Sequence, residues 1–98
     1  MEIIKTLEGD TLKVDLIGRL DTTTGPELEK NLMDDLEDVA ELILDFEKLE
    51  YVSSAGLRVL LVLQKKMSKQ GEMVIRNVNE SIGEVFDMTG FADILTIE

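Results

Sequence analysis

The chain has 98 residues, with 21 acidic and 10 basic side chains and a net charge of −11. It contains no Cys, no His and no Trp, which excludes a thiol nucleophile, a disulfide framework, a Cys/His zinc site and any histidine general base. The acid excess argues against nucleic-acid binding, which needs a basic face, while 44% apolar residues suffice for a folded core.

The pattern along the chain alternates strands and helices. Glu2 to Leu7 reads as an edge strand. Thr11 to Ile17 puts Leu12, Val14 and Leu16 on one face and Thr11, Lys13 and Asp15 on the other, which is period-2 alternation. The short turn Glu8-Gly9-Asp10 should join these two as a hairpin. A polar loop from Gly18 to Pro26 follows. Pro26 suits the first turn of a helix that Thr24 or Gly25 can cap, running to about Asp38 with Leu28, Leu32 and Leu36 as its buried stripe. Leu42 to Phe46 reads as a buried strand.

A second helix is expected over Ala55 to Lys69, apolar around much of its first half and basic later at Lys65, Lys66 and Lys69, with Gly71 as its C-cap region. Met73 to Val78 reads as another strand. Ser81 to Thr89 reads as a short helix with a Ser81-x-x-Glu84 capping box, ended by Gly90, with Phe91 folding back on the last turn. Ile94 to Ile97 completes the set as a final strand. The order β-β-α-β-α-β-α-β predicts an α/β fold with a mixed sheet. An initial antiparallel hairpin leads into parallel βαβ units. With only three helices, one face of the sheet should be poorly covered.

No repeat, low-complexity tract or linker interrupts this pattern, so residues 1–98 are expected to form a single domain. The N-terminal stretch lacks the features of a signal peptide. The longest unbroken apolar run, Val59-Leu60-Leu61-Val62-Leu63, is far too short to span a bilayer. A cytoplasmic location without direct membrane insertion is the expectation.

Chemistry is most strongly suggested where two serines meet an apolar helix, at Tyr51-Val52-Ser53-Ser54-Ala55-Gly56-Leu57-Arg58. Either serine can serve simply as the helix cap. Alternatively, one is modified: a helix N-terminus offers free N–H groups and a positive dipole end that can receive a phosphate. Asp21 reads from its position as a loop cap or turn former. Arg58, one turn beyond Ser54, is either an exposed helix residue or a partner for a phosphate there. Met67, Met73 and Met88 read as core fillers. The acidic run Asp34-Asp35-x-Glu37-Asp38 reads as a solvated helix face, without calcium-loop spacing. No Gly-x-x-x-x-Gly-Lys or Gly-x-Gly-x-x-Gly loop supports nucleotide binding. No nucleophile is paired with a base, so neither a catalytic residue nor a cofactor or metal is expected.

Three segments together carry a family resemblance: Gly18-Arg19-Leu20-Asp21, Ser53-Ser54-Ala55-Gly56-Leu57 and Phe86-Asp87-Met88-Thr89-Gly90. In this order the chain resembles, over nearly its whole length, the STAS domains of bacterial anti-sigma factor antagonists. The resemblance implies a protein that binds an anti-sigma factor with serine kinase activity and so releases a sigma factor. It implies that the kinase phosphorylates Ser54, the serine that follows the family's Asp position, breaking the complex, and that a serine phosphatase reverses this. Asp21, Thr22, Ser53, Ser54, Gly56 and Arg58 would then form the partner surface. The family's Asp before the acceptor is Ser53 here, which makes Ser53 a fallback acceptor. It also leaves open a second reading, a non-phosphorylated STAS subunit of a membrane transport or sensory complex. The charge is polarised: residues 1–50 hold 15 acids and 5 bases, residues 51–98 hold 6 and 5. A partner would therefore meet an uneven field whose strength falls with salt.

Overall fold

Strand β1 (Glu2–Glu8) and strand β2 (Thr11–Leu20) pair antiparallel, and Glu8 faces Thr11, so only Gly9 and Asp10 form the turn. Gly9 has φ +62°, a conformation that glycine adopts without steric cost. The computed structural model describes residues 1–98. The chain continues through helix α1 (Thr24–Met33), strand β3 (Glu41–Val52), helix α2 (Ser54–Ser68), strand β4 (Glu72–Arg76), helix α3 (Glu80–Thr89) and a 3₁₀ turn (Phe91–Asp93). The sheet order is β1-β2-β3-β4; β2, β3 and β4 are parallel neighbours. This is the mixed sheet that the alternating pattern predicts.

Leu12 and Val14 of β2 lie in register with Leu42 and Leu44 of β3, which pair in turn with Met73 and Ile75 of β4; these residues and Leu16 are all buried. One apolar cluster joins them to Leu28 and Leu32 of α1, Leu57, Leu60, Leu63 and Met67 of α2, and Ile82 and Phe86 of α3. Hence the three helices cover the same face of the sheet. Phe46 and Phe86 meet at 6.4 Å between ring centroids. The opposite face, which carries Lys13, Asp15 and Asp45, has no helix on it. No helix is long and apolar enough to cross a membrane.

Several boundaries differ from expectation, each for a local reason. Strand β2 runs on through Gly18, Arg19 and Leu20, where a loop is expected, because β3 also runs on to Val52 instead of ending at Phe46. Two bulges in β3, between the pairs Asp15/Asp45 and Ile17/Lys48 and between Gly18/Leu49 and Arg19/Tyr51, keep Leu49 and Val52 pointing into the core. Because a bulge breaks the period-2 pattern, alternation alone ends this strand too early.

Helix α1 ends at Met33, not near Asp38. Asp34, Asp35, Glu37 and Asp38 oppose the negative dipole end of a longer helix, and a turn carries them while Leu36 stays buried. The Gln70 side-chain amide donates to the carbonyls of Leu36 and Val39 and closes this connection.

Strand β4 stops at Arg76, short of Val78, because Asn77 turns the chain at φ 59°. Helix α3 is capped by Asn79, whose Oδ1 accepts from the Ile82 amide at 2.8 Å, so Ser81 is not the cap; Gly90 ends the helix at φ +80° as expected. The expected last strand is reduced to a single parallel bridge, Ile97 to Ile75, because the 3₁₀ turn brings the chain alongside β4 at that point only. Gly71 is not a left-handed cap, since Lys69 ends α2. Its role is close approach: a Cβ there would lie 1.9 Å from the Ala40 carbonyl oxygen.

Candidate functional site

Parallel strands deliver their following loops to the same end of the sheet, the end where open α/β folds place their sites. Here the last pair of β2 and β3 is Leu20 with Val52. One residue later the Ser53 amide donates to the Leu20 carbonyl at 2.9 Å. The loop after β2 and the start of α2 are thereby fixed against each other.

Ser53 has extended backbone, φ −90° and ψ 175°, and its Oγ accepts from the Gly56 amide at 3.3 Å. It is therefore the N-cap of α2, satisfying one of the amides that a helix start leaves free. Ser54 is the first helical residue and is exposed, and its hydroxyl takes no part in the cap. Gly56 is buried, and a Cβ on it would come within 2.8 Å of the Leu20 carbonyl oxygen and Cγ. Glycine at this position lets α2 start directly beneath the end of β2. Arg58 is exposed and forms no salt bridge.

Asp21 organises the facing loop. Its Oδ1 accepts from the amides of Thr23 at 3.0 Å and Thr24 at 3.1 Å, so a carboxylate two residues before the cap position does the work expected of Thr24 or Gly25. The Thr24 hydroxyl donates to the Arg19 carbonyl at 2.7 Å and accepts from the Asp21 amide at 2.8 Å. The Thr24 amide, foremost, holds the Asp21 carboxyl below its ordinary pKa; partial burial opposes it, and the Thr23 amide, the Thr24 hydroxyl and the Arg19 charge add to it. Thr22 is exposed on this loop. Gly25 packs where a Cβ would stand 3.3 Å from Val59 and 3.6 Å from the Ala55 carbonyl oxygen. Helix α1 therefore begins against the first turns of α2; Asp21, Thr22, Ser53, Ser54 and Gly56 meet at one end of the sheet, with Gly56 buried there instead of on a surface, and Arg58 lies one turn further along α2.

Two features escaped the sequence reading. The Arg19 guanidinium carbon lies 4.5 Å from the centroid of the Tyr51 ring, a cation–π contact at the edge of the site. A loop from Gly18 to Pro26, as expected from the sequence, gives Arg19 no strand partner; the signal for the pair is an aromatic and an arginine each one residue before a buried apolar residue. On the helix-free face, Asp45 accepts from the Asn77 side chain at 3.0 Å and the Glu47 amide at 2.9 Å. Burial pushes its pKa up, but these bonds with Lys13 and Arg76 outweigh it and leave the pKa lowered. No three acidic side chains converge as a metal-binding group.

A family model described as STAS domain matches residues 2–98. The anti-sigma-B factor antagonist of Bacillus subtilis is 32% identical over 95 residues, covering 96% of this chain and 86% of that protein. A Bordetella bronchiseptica protein named for an anti-sigma factor antagonist, BtrV, is 40% identical over 57 residues; the match spans 57% of this chain and about half (49%) of that protein. Solved structures of SpoIIAA, a Bacillus anti-sigma factor antagonist, in unphosphorylated and phosphorylated forms superpose with TM-scores of 0.77 and 0.76 at 18% identity. They cover 99% of this chain and 87% and 91% of theirs. At that identity the likeness is one of fold.

Proposed function

The chain belongs to the STAS domain family, and from that premise we propose that it is an anti-sigma factor antagonist whose binding is switched by phosphorylation of Ser54. The unphosphorylated domain binds an anti-sigma factor that is also a serine kinase, and the sigma factor is released. The antagonist acts in the cytoplasm as one domain, performs no catalysis itself and is the substrate of two enzymes: the kinase and a serine phosphatase that resets it.

The observation that carries this reading is the division of labour between the two serines. Ser53 is occupied as the cap, whereas Ser54 is exposed one residue inside the helix. A phosphate on Ser54 adds about −1.5 to −2 charges beside the free amides and positive dipole end of α2, where an anion is tolerated. The domain stays folded. What changes is the face presented by Asp21, Thr22 and the serines, which becomes strongly anionic toward the partner; Gly56, buried beneath Leu20, is no part of that face. Arg58, one turn along and unpaired, is placed to meet that phosphate. Modification of Ser53 would instead remove the cap.

Phosphorylation with the cognate kinase, followed by mass-spectrometric mapping, tests the switch. The expected result is one phosphate on Ser54. A phosphate found away from Ser53 and Ser54, or none, sinks it, and recovery of a membrane assembly in place of a kinase would favour a transport or sensory subunit.

A further inference from the structure

Arg19 and Tyr51 are register partners across β2 and β3, immediately after the second bulge. Their next neighbours, Leu20 and Val52, point into the core, so by strand alternation both side chains stand on the helix-free face. Each is exposed, Tyr51 at 42%. The pair is not isolated from the serine site. The Thr24 hydroxyl bonds the Arg19 carbonyl, and the Arg19 charge is felt at Asp21. Two residues of strand, about 7 Å, separate the pair from Asp21 and Ser53.

The chemistry is unusual for this surface. In a chain of net charge −11, Arg19 has no carboxylate within salt-bridge distance; its cation lies over an aromatic ring. Stacking in this way leaves the in-plane N–H donors of a guanidinium free for a carboxylate. Tyr and Arg are also the residue types that dominate binding energy at protein interfaces, since they bring large contact area with few degrees of freedom.

Resting on the antagonist reading, we infer that the Arg19–Tyr51 pair anchors the anti-sigma factor: the Tyr51 ring packs on an apolar side chain of the partner, and Arg19 takes a partner carboxylate. The docking surface thus extends from the serine loop around the sheet end onto the helix-free face. On the helix-free face Lys13 and Arg76 are paired with carboxylates, whereas Arg19 is not, so Arg19 offers a partner carboxylate an unneutralised cation.

The test is a calorimetric titration of the purified chain against the ATP-binding anti-sigma factor of the same genome, with Tm recorded for each variant. Wild type binds. Tyr51→Ala and Arg19→Glu weaken binding about 10- to 100-fold, Arg19→Lys falls between because lysine lacks the planar fork, and Tyr51→Phe stays near wild type. All four stay folded, because both side chains are exposed; the Tm of Tyr51→Ala and Arg19→Glu falls by no more than about 4–8 °C as the cation–π contact is lost. Reversal of one partner acid to Arg restores binding to Arg19→Glu. Wild-type affinity in Tyr51→Ala and Arg19→Glu overturns the anchor while the antagonist reading stands. A wild-type chain that binds no such factor overturns both.

Discussion

The Ser53 amide donates to the Leu20 carbonyl at 2.9 Å, and this single bond joins the ends of two parallel strands just before each becomes a loop. It fixes the serine cap relative to Asp21. Since the bond is made by backbone atoms, side-chain changes at the surface of the site can alter binding without dismantling it.

Ser54 can therefore be changed without loss of fold. Ser54→Ala is expected to keep its Tm and bind the anti-sigma factor constitutively. Ser54→Asp is expected to bind at least about tenfold more weakly, while its Tm stays equal or rises, because an acid in the first turn favours the helix dipole. Titration calorimetry and thermal melts of the same samples separate the two effects. A fall in both together would place Ser54 in the fold instead of the switch.

Ser53 should behave in the opposite way. Ser53→Ala removes the acceptor for the Gly56 amide and is expected to cost about 1 kcal/mol, which lowers the Tm of a domain this size by about 4–8 °C. Ser53→Asp keeps a cap and adds an acid at the positive end of α2, so it should melt at or above wild type. Circular-dichroism melts decide between them.

Two glycines should resist even alanine. At Gly71 the new methyl would meet the Ala40 carbonyl oxygen at 1.9 Å, and at Gly56 the Leu20 carbonyl oxygen at 2.8 Å. In each case backbone must move. Gly56→Ala is expected to destabilise by about 1–3 kcal/mol, the range of an overpacked core, and Gly71→Ala by more. Urea unfolding at unchanged m-value is the measurement.

Acid should weaken the fold through Asp21 and Asp45. Both carboxyls have lowered pKa values in the folded protein. Their stabilisation is present above the unfolded value of about 3.9 and is lost as pH falls through the lower folded value. Tm should thus decline on acidification below about pH 5. Asp45→Asn should lower Tm at neutral pH and flatten that decline. An acid limb as steep as in the wild type would show that Asp45 has no share in it.

Much of this architecture was legible in the residues. Period-2 alternation marked β2, and the i, i+4, i+8 leucines marked α1. Gly9-Asp10 marked the hairpin, and the serines before Ala55 and Gly56 marked the start of α2. These signals are local, since each is set by how one segment presents an apolar face. The bulges of β3 carry no such signature, because what makes Leu49 and Val52 point inward is the partner strand and the core they fill.

Composition and local pattern were enough for the mixed α/β order, the lack of histidine and cysteine chemistry, and the serine pair as the point of interest. Which serine caps the helix and which is exposed, that Asp21 caps α1, and that Arg19 stacks on Tyr51 follow from packing between distant segments. The same packing leaves Arg19 without an ion pair in a chain of net charge −11. The physical reason is range. Periodicity is fixed by neighbours two to four positions away, whereas Arg19 and Tyr51 lie 32 positions apart and meet only because β2 and the twice-bulged β3 end in register.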